Sequence, residues 1–227
     1  MYRYFVLVLF IIKLTSSSAQ IHDVGVYFGG SNYVGDIGPT DYISPHDPAY
    51  GIIYKWNRSS RHSLRFSYTH STITSDDADS DMPSRVQRGY TFENTLNEIS
   101  AGLEFNFFEF DLHESGFLFT PYVYTGLNYL NYNGLFFVDG ESKYDSTHNT
   151  VAIPMLVGIK ARVYNHFIIG LEARANYSFT DEIDGSKPTN ENLENLQFGN
   201  TNSNDWYFFT GFTLSYTFGR KPCYCRD

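Results

Sequence analysis

The feature that most constrains the chain is a side-chain alternation of period two that returns eight times. In the segment ending at Phe218, Phe212, Leu214, Tyr216 and Phe218 fall on one side and Thr213, Ser215 and Thr217 on the other. Successive side chains of an extended strand point to opposite faces, so a strand satisfies this pattern and a helix does not. The same test is met over residues 62–74, 95–108, 151–163 and 166–179, and more weakly over 22–30, 49–56 and 118–131. One row of each segment is apolar. Leu64, Phe66 and Tyr68 oppose Ser63, Arg65 and Ser67. Ile99, Ala101, Leu103 and Phe105 oppose Glu98, Ser100, Gly102 and Glu104. Ile169, Leu171 and Ala173 oppose Gly170, Glu172 and Arg174. An apolar row on nearly every strand, backed by a charged row, suits a sheet closed on itself with lipid outside. The expected fold is all-β, an eight-stranded antiparallel transmembrane β-barrel of the outer-membrane type. A secreted β-sandwich also alternates, but it would not place charges along the inner row.

The connections support this count. Short links are expected at 57–61, 111–116 and 164–166, and long polar ones at roughly 31–48, 75–94, 132–150 and 180–204. Short periplasmic turns and long outside loops are the outer-membrane pattern, and an even strand number puts both ends of the barrel on the periplasmic side. Residues 4–12, YFVLVLFII, form an apolar run too short to span a membrane. With Arg3 before it and Thr15 to Ala19 after it, residues 1–19 read as a secretory signal peptide, leaving a barrel over 20–218 and a tail over 219–227. Nineteen Tyr and twenty Phe give an aromatic fraction of 18%, as girdles at two membrane interfaces require. The net charge of −9, which becomes −11 once Arg3 and Lys13 leave with the signal, argues against nucleic acid as a partner. Outer-membrane lipid is the expected surround.

The inner row brings Asp23, Glu98, Glu104 and Glu172 together with Lys55, Arg65, Lys160, Arg162 and Arg174. An eight-stranded barrel is just wide enough for side chains to fill. Four acids and five bases in that space must pair, because an unpaired buried charge is costly. The expectation is a plugged lumen, with an ion or proton path as the alternative. Pro154 cannot donate a ladder hydrogen bond, so a bulge or a late strand start is expected there.

No catalytic, cofactor or metal site is expected. His62-Ser63 and His70-Ser71 are adjacent pairs, and adjacent strand residues face opposite sides. Asp77, Asp79 and Asp81 have calcium-loop spacing, but Met82 stands where the turn glycine belongs and Arg88 where the bidentate acid belongs. Gly35-Asp36-Ile37-Gly38 precedes no helix and supports no phosphate loop. Cys223 and Cys225 have no His cluster nearby to complete a zinc site.

Several stretches together resemble a known family: GVYFGGSNYVGDIG (25–38), YKWNRSSRHSLRFSYT (54–69), RGYTFENTLNEISAGLEFNFFEF (88–110), FTPYVYTGLNY (119–129) and GRKPCYC (219–225). They look like the PorG family, small outer-membrane barrels of the type IX secretion system of Bacteroidetes. The resemblance implies an eight-stranded barrel that anchors or organises a periplasmic ring of PorK and PorN, not an enzyme. The alternatives are a small lipid-modifying enzyme of the outer membrane, with His62 or His70 as base, and a surface barrel with adhesive or ligand-binding loops. By analogy at the family level, Gly211, Leu214, Tyr216 and Phe218 form the barrel-insertion signal. The tail carries Cys223 and Cys225, the only two cysteines, among Arg220, Lys221 and Arg226. In an oxidising periplasm the thiols are expected to pair, either with each other or with a ring component such as PorK.

Overall fold

The structure, a computed structural model, describes residues 21–112, 116–164, 166–200 and 202–219. The expected signal peptide, and the tail residues Arg220, Lys221, Cys223, Cys225 and Arg226, lie outside the described residues. Eight strands form: β1 (Ile21–Val34), β2 (Asp47–Asn57), β3 (His62–Asp76), β4 (Thr91–Asn106), β5 (Leu118–Val138), β6 (Glu141–Tyr164), β7 (Phe167–Ser178) and β8 (Trp206–Gly219). Each pairs antiparallel with its neighbours, and β1 pairs with β8, closing the ring. The register fixes the tilt. A circuit of paired residues leaves β1 at His22, passes Trp56, Leu64, Leu103, Thr125, Met155, Ala175 and Phe208, and returns to β1 at Asn32, ten residues further on. That stagger obliges the strands to lie oblique to the barrel axis.

Every outward row expected from the alternation faces out. Val24, Ile52, Ile99, Leu127, Val157 and Phe212 are between 50 and 68% exposed, and no described residue covers them. A continuous apolar belt of this kind belongs in lipid. Aromatic contacts edge it at both rims: His22 stacks with Tyr54 and Phe218 at one, and Tyr50 meets His70 and Tyr177 meets Trp206 at the other. The protein is an outer-membrane β-barrel. Ile21 pairs with Gly219, so β1 begins and β8 ends at the rim of short turns. Of the insertion-signal residues, Leu214, Tyr216 and Phe218 face lipid, and Gly211 lies against Gly29 across the closing seam.

Two expectations fail. Residues 132–150 are not a loop: β5 and β6 continue through them as a projecting hairpin and turn at Asp139-Gly140, both at positive φ (54° and 85°). Asp-Gly is a favoured pair for two-residue turns of this hand, flanked here by the pairs Val138–Glu141 and Phe137–Ser142. Pro154 produces neither a bulge nor a late start. It sits inward in β6 opposite Asn176, and the β5–β6 ladder loses its bonds there without changing register. A bulge lies further out, where Asn133 pairs with Thr147 but Leu135 pairs with Tyr144, so Asp145 and Ser146 both oppose Gly134, and the register shifts again between Arg162 and Tyr164 at the other end of β6.

Candidate functional site

All nine charged residues assigned to the lumen are inside it and no more than 6% exposed. Period two places them there. Their partners come from across the barrel, which no local pattern specifies. Glu104 on β4 accepts from Lys55 of β2 (3.1 Å) and Lys160 of β6 (2.5 Å), both at Oε1, while Oε2 lies 2.8 Å from the Lys55 ammonium and 3.6 Å from Arg65 of β3. Arg65 makes a two-pronged bond to Glu172 of β7 at 2.7 and 2.9 Å, and the Tyr122 hydroxyl donates to the same carboxylate. Arg174 pairs with Glu98 at 2.9 Å, which also accepts from Asn128 and Tyr207, both at 2.7 Å. Asp23 sits on β1 directly across from Lys55. Arg162 donates to the Gly116 carbonyl at 2.7 Å and so holds the β4–β5 turn. Aromatic faces complete the shell: Lys55 and Lys160 lie over Tyr122, Arg65 over Tyr124 and Arg174 over Phe209. The space left beside Tyr27, Arg65, Glu172 and Arg174 is a void of about 10 Å³. The lumen at this level is a packed ionic core.

Sequence reasoning missed the other half of the lumen. Towards the long loops the inward row turns apolar, with Tyr33, Ile73, Phe92, Leu96, Leu130, Tyr132, Tyr207 and Phe209 in one cluster. Ile183, from the connection between β7 and β8, plugs into it at 0% exposure, held by its carbonyl accepting from Asn94 and its N–H donating to Asp205 (2.7 and 2.9 Å). The loops above form a cap. A short helix, α1 (Pro83–Arg88), points Arg85 at the carbonyls of Gly35 and Gly38 (2.7 and 2.6 Å). Arg88 grips Asp77 through two bonds of 2.7 and 2.8 Å, and also donates to the Asp36 carbonyl at 2.7 Å. Burial raises the Asp77 carboxyl, but Arg88 and the N–H groups of Gly38 and Tyr90 outweigh it and hold its pKa below the ordinary value. Asp77 is therefore a clasp between loops, not a calcium ligand; Asp79 and Asp81 follow it out into the loop.

A second acidic group sits beneath this cap. Asp181, Asp184 and Asp205 are at most 6% exposed, and Tyr33 donates to Asp205. Burial raises the carboxyl pKa of all three; repulsion from Asp184 and Asp36 pushes Asp181 up to about 7, Asp184 and Asp181 repel Asp205, and Asp36 repels Asp184 against the bonds from Ser186 and Tyr33 that lower it. Asp181 also lines an open polar cleft of about 850 Å³ formed within the fourth long connection, between β7 and β8, by residues between Phe179 and Asn204.

Among the described residues the histidines form no relay. His62 Nδ1 is 3.3 Å from Ser59 Oγ at the short-turn rim, with His62 exposed and Ser59 half-buried, and His70 hydrogen-bonds Asn97 at 2.8 Å on the outer wall. Ser63 and Ser71 point inward, away from the histidines beside them in sequence. At the bulge, Ser146 Oγ lies 2.6 Å from His148 Nε2, in a space that Gly134 leaves open. The carboxylate behind it, Glu182, stands 3.9 Å from His148 Nδ1 and is already taken by Tyr132 and Thr189. Among the described residues no group of three or more His, Cys, Asp or Glu is arranged to hold a metal ion.

Among solved structures the chain is similar to Ail, the attachment invasion locus protein of Yersinia pestis, at 10% identity and a TM-score of 0.46, covering 87% of this chain and 99% of that one. It is similar to Neisserial surface protein A at 12% identity and a TM-score of 0.47, covering 89% and 98%. It is also similar to the outer-membrane protein AlkL at 13% identity and a TM-score of 0.46, covering 94% and 96%. No curated protein matches the chain in sequence. One family profile does match it, over residues 2–227, and the chain belongs to that family, DUF6089, described as a domain of unknown function.

Proposed function

We propose that this barrel is a non-enzymatic component of a type IX secretion machine, akin to PorG, and that it anchors or organises a periplasmic ring of PorK and PorN. The observation that carries the reading is the filled lumen. A protein export conduit needs a space that can be cleared, whereas here a buried ionic core and an aromatic plug occupy the barrel from end to end. An organising role asks only for a rigid lipid-held body with one rim offered to a partner, and the stretches that resemble PorG supply the partner's identity.

On this reading residues 1–19 are removed on export, the short-turn rim faces the periplasm, and the capped rim faces out. Gly219, the last residue of β8, sits at φ 127°, a backbone conformation that glycine adopts without strain. The tail beyond it offers Cys223 and Cys225 amid Arg220, Lys221 and Arg226 to the ring, with at least one thiol bonded covalently to PorK. A thiol on a short tail acts at high effective concentration against a neighbouring surface. Deletion followed by proteomics of the medium tests the reading. Loss of many exported proteins together supports it, altered lipid A alone supports a lipid-modifying enzyme, and altered adhesion alone supports a surface barrel. The polar cleft at the capped rim is the observation that favours this last alternative.

A further inference from the structure

The cleft beside the fourth loop carries an electrostatic imbalance that the fold does not resolve. Its floor holds Asp181, 6% exposed, whose Oδ2 has no hydrogen-bond partner. Behind it lies Asp184, wholly buried, whose Oδ2 is also unpartnered, and then Asp205. Asp36 of the β1–β2 connection adds its charge to Asp181, and Lys187 of the β7–β8 connection opposes it. Arg88 acts on Asp184 from α1. Glu182 also lines the cleft, but Tyr132 and Thr189 occupy its oxygens and His148 is its neighbour. Glu194 stands exposed at the edge. The lining thus carries three acids against one base, with three further aspartates set around its floor. A buried carboxylate oxygen without a partner is costly unless a cation reaches it or a proton neutralises it.

We propose that this cleft binds an organic cation, an ammonium or guanidinium group carried on a ligand of peptide size. Three observations select this class. The negative lining opposes phosphate, sulfate and carboxylate ligands. The carboxylates do not converge on one point as a metal ion requires. The cleft, at about 850 Å³, is far larger than a single ion needs and matches a short peptide segment. Asp181 Oδ2 is shut from solvent, and a turn of the side chain toward a guanidinium in the cleft would give it the charge-assisted hydrogen bond it lacks. The exposed ring of Phe179 on the cleft wall offers the apolar stem of a Lys or Arg side chain a surface to lie on. The cation would also offset the repulsion among Asp36, Asp181, Asp184 and Asp205, so binding and cap stability are linked. Because Asp181 holds its proton up to about 7, a cation that requires the carboxylate must displace it. Affinity therefore rises with pH, by up to about tenfold per unit below that value.

The test is calorimetric titration of the full-length barrel in nanodiscs with three probes: acetyl-Gly-Arg-Gly-amide, the same peptide with neutral citrulline for arginine, and calcium chloride. The arginine peptide should bind, more tightly at pH 8 than at pH 6. The citrulline peptide should bind at least about tenfold more weakly, and Asp181→Asn should weaken the arginine peptide by a similar factor. Asp181→Asn keeps the shape of the side chain, and an unchanged heat-modifiable gel shift shows that the barrel has folded. No binding of the arginine peptide at millimolar concentration, equal binding of the citrulline peptide, unchanged affinity in folded Asp181→Asn, or saturation by calcium alone would each overturn the proposal.

Discussion

Removing the Glu104 carboxylate is the sharpest perturbation of the ionic core. It is wholly buried and is the shared counter-ion of Lys55 and Lys160, with Arg65 at the edge of contact. At an effective dielectric near 20, each of these contacts has a gross Coulomb energy of roughly 5 kcal/mol. Most of that is offset by the cost of taking the charges out of water. What Glu104→Ala leaves is two lysines, both over the face of Tyr122, that repel each other with only part of their charge offset by Asp23 and Glu172. The expected net loss is about 3–5 kcal/mol. Glu104→Ala combined with Lys160→Met should recover at least half of it, because one stranded charge goes with the carboxylate. Reversible urea unfolding in lipid vesicles, followed by tryptophan fluorescence and by gel shift of unboiled samples, measures both variants. A loss below about 1 kcal/mol in the single variant, or no recovery in the double, would refute the reasoning that the core is dry and its charges mutually dependent.

Three further outcomes follow from the same structure. The purified barrel in a planar bilayer should show no single-channel conductance, and Arg174→Ala should destabilise it without opening a pore; a steady conductance in the wild type would contradict the filled lumen. Gly134→Val should cost about 1–3 kcal/mol, because a side chain there meets the His148 ring; an unchanged urea midpoint would show that the bulge has room to spare. The cap should weaken as pH rises. Asp181, Asp184 and Asp205 hold protons more tightly folded than unfolded, so their contribution is intact below the ordinary aspartate range and is lost as pH climbs, for Asp181 through about 7. Hydrogen exchange over 181–205 should be faster at pH 8 than at pH 5.5 after correction for intrinsic rates, and no difference would remove the acids from the cap's energetics.

The barrel wall was legible because period two is a one-residue signal. Knowing that Ile169 faces lipid forces Glu172 inward, and the same parity sorts every strand. The pairing inside the barrel was not legible. Glu172 bonds to Arg65, which lies 107 positions away, and only the closed register brings the two together. The hairpin beyond Tyr132 was missed because the polar residues 139–150 read as a loop, while the decisive signal was the single Asp139-Gly140 pair. The acid group under the cap was hidden for another reason. Asp181, Asp184 and Asp205 sit in a stretch rich in Asn, Ser and Gly, where solvated loop is the natural reading, and burial there depends on Ile183 docking into a core built by seven strands. Asp77 illustrates the gap between spacing and role: the calcium-like spacing is real, yet Arg88, eleven positions on, makes it an ion pair.

The central claim is that this filled barrel works by holding a partner at its short-turn rim. Its most direct test is cross-linking mass spectrometry on intact outer membranes, comparing wild type with Cys223→Ser/Cys225→Ser and with samples run without reductant. The account predicts cross-links from Lys221 and the short-turn rim to PorK or PorN, and a reductant-sensitive band joining the barrel to PorK that the double variant lacks. A barrel that yields no links to either protein, and migrates alone with or without reductant, would contradict it.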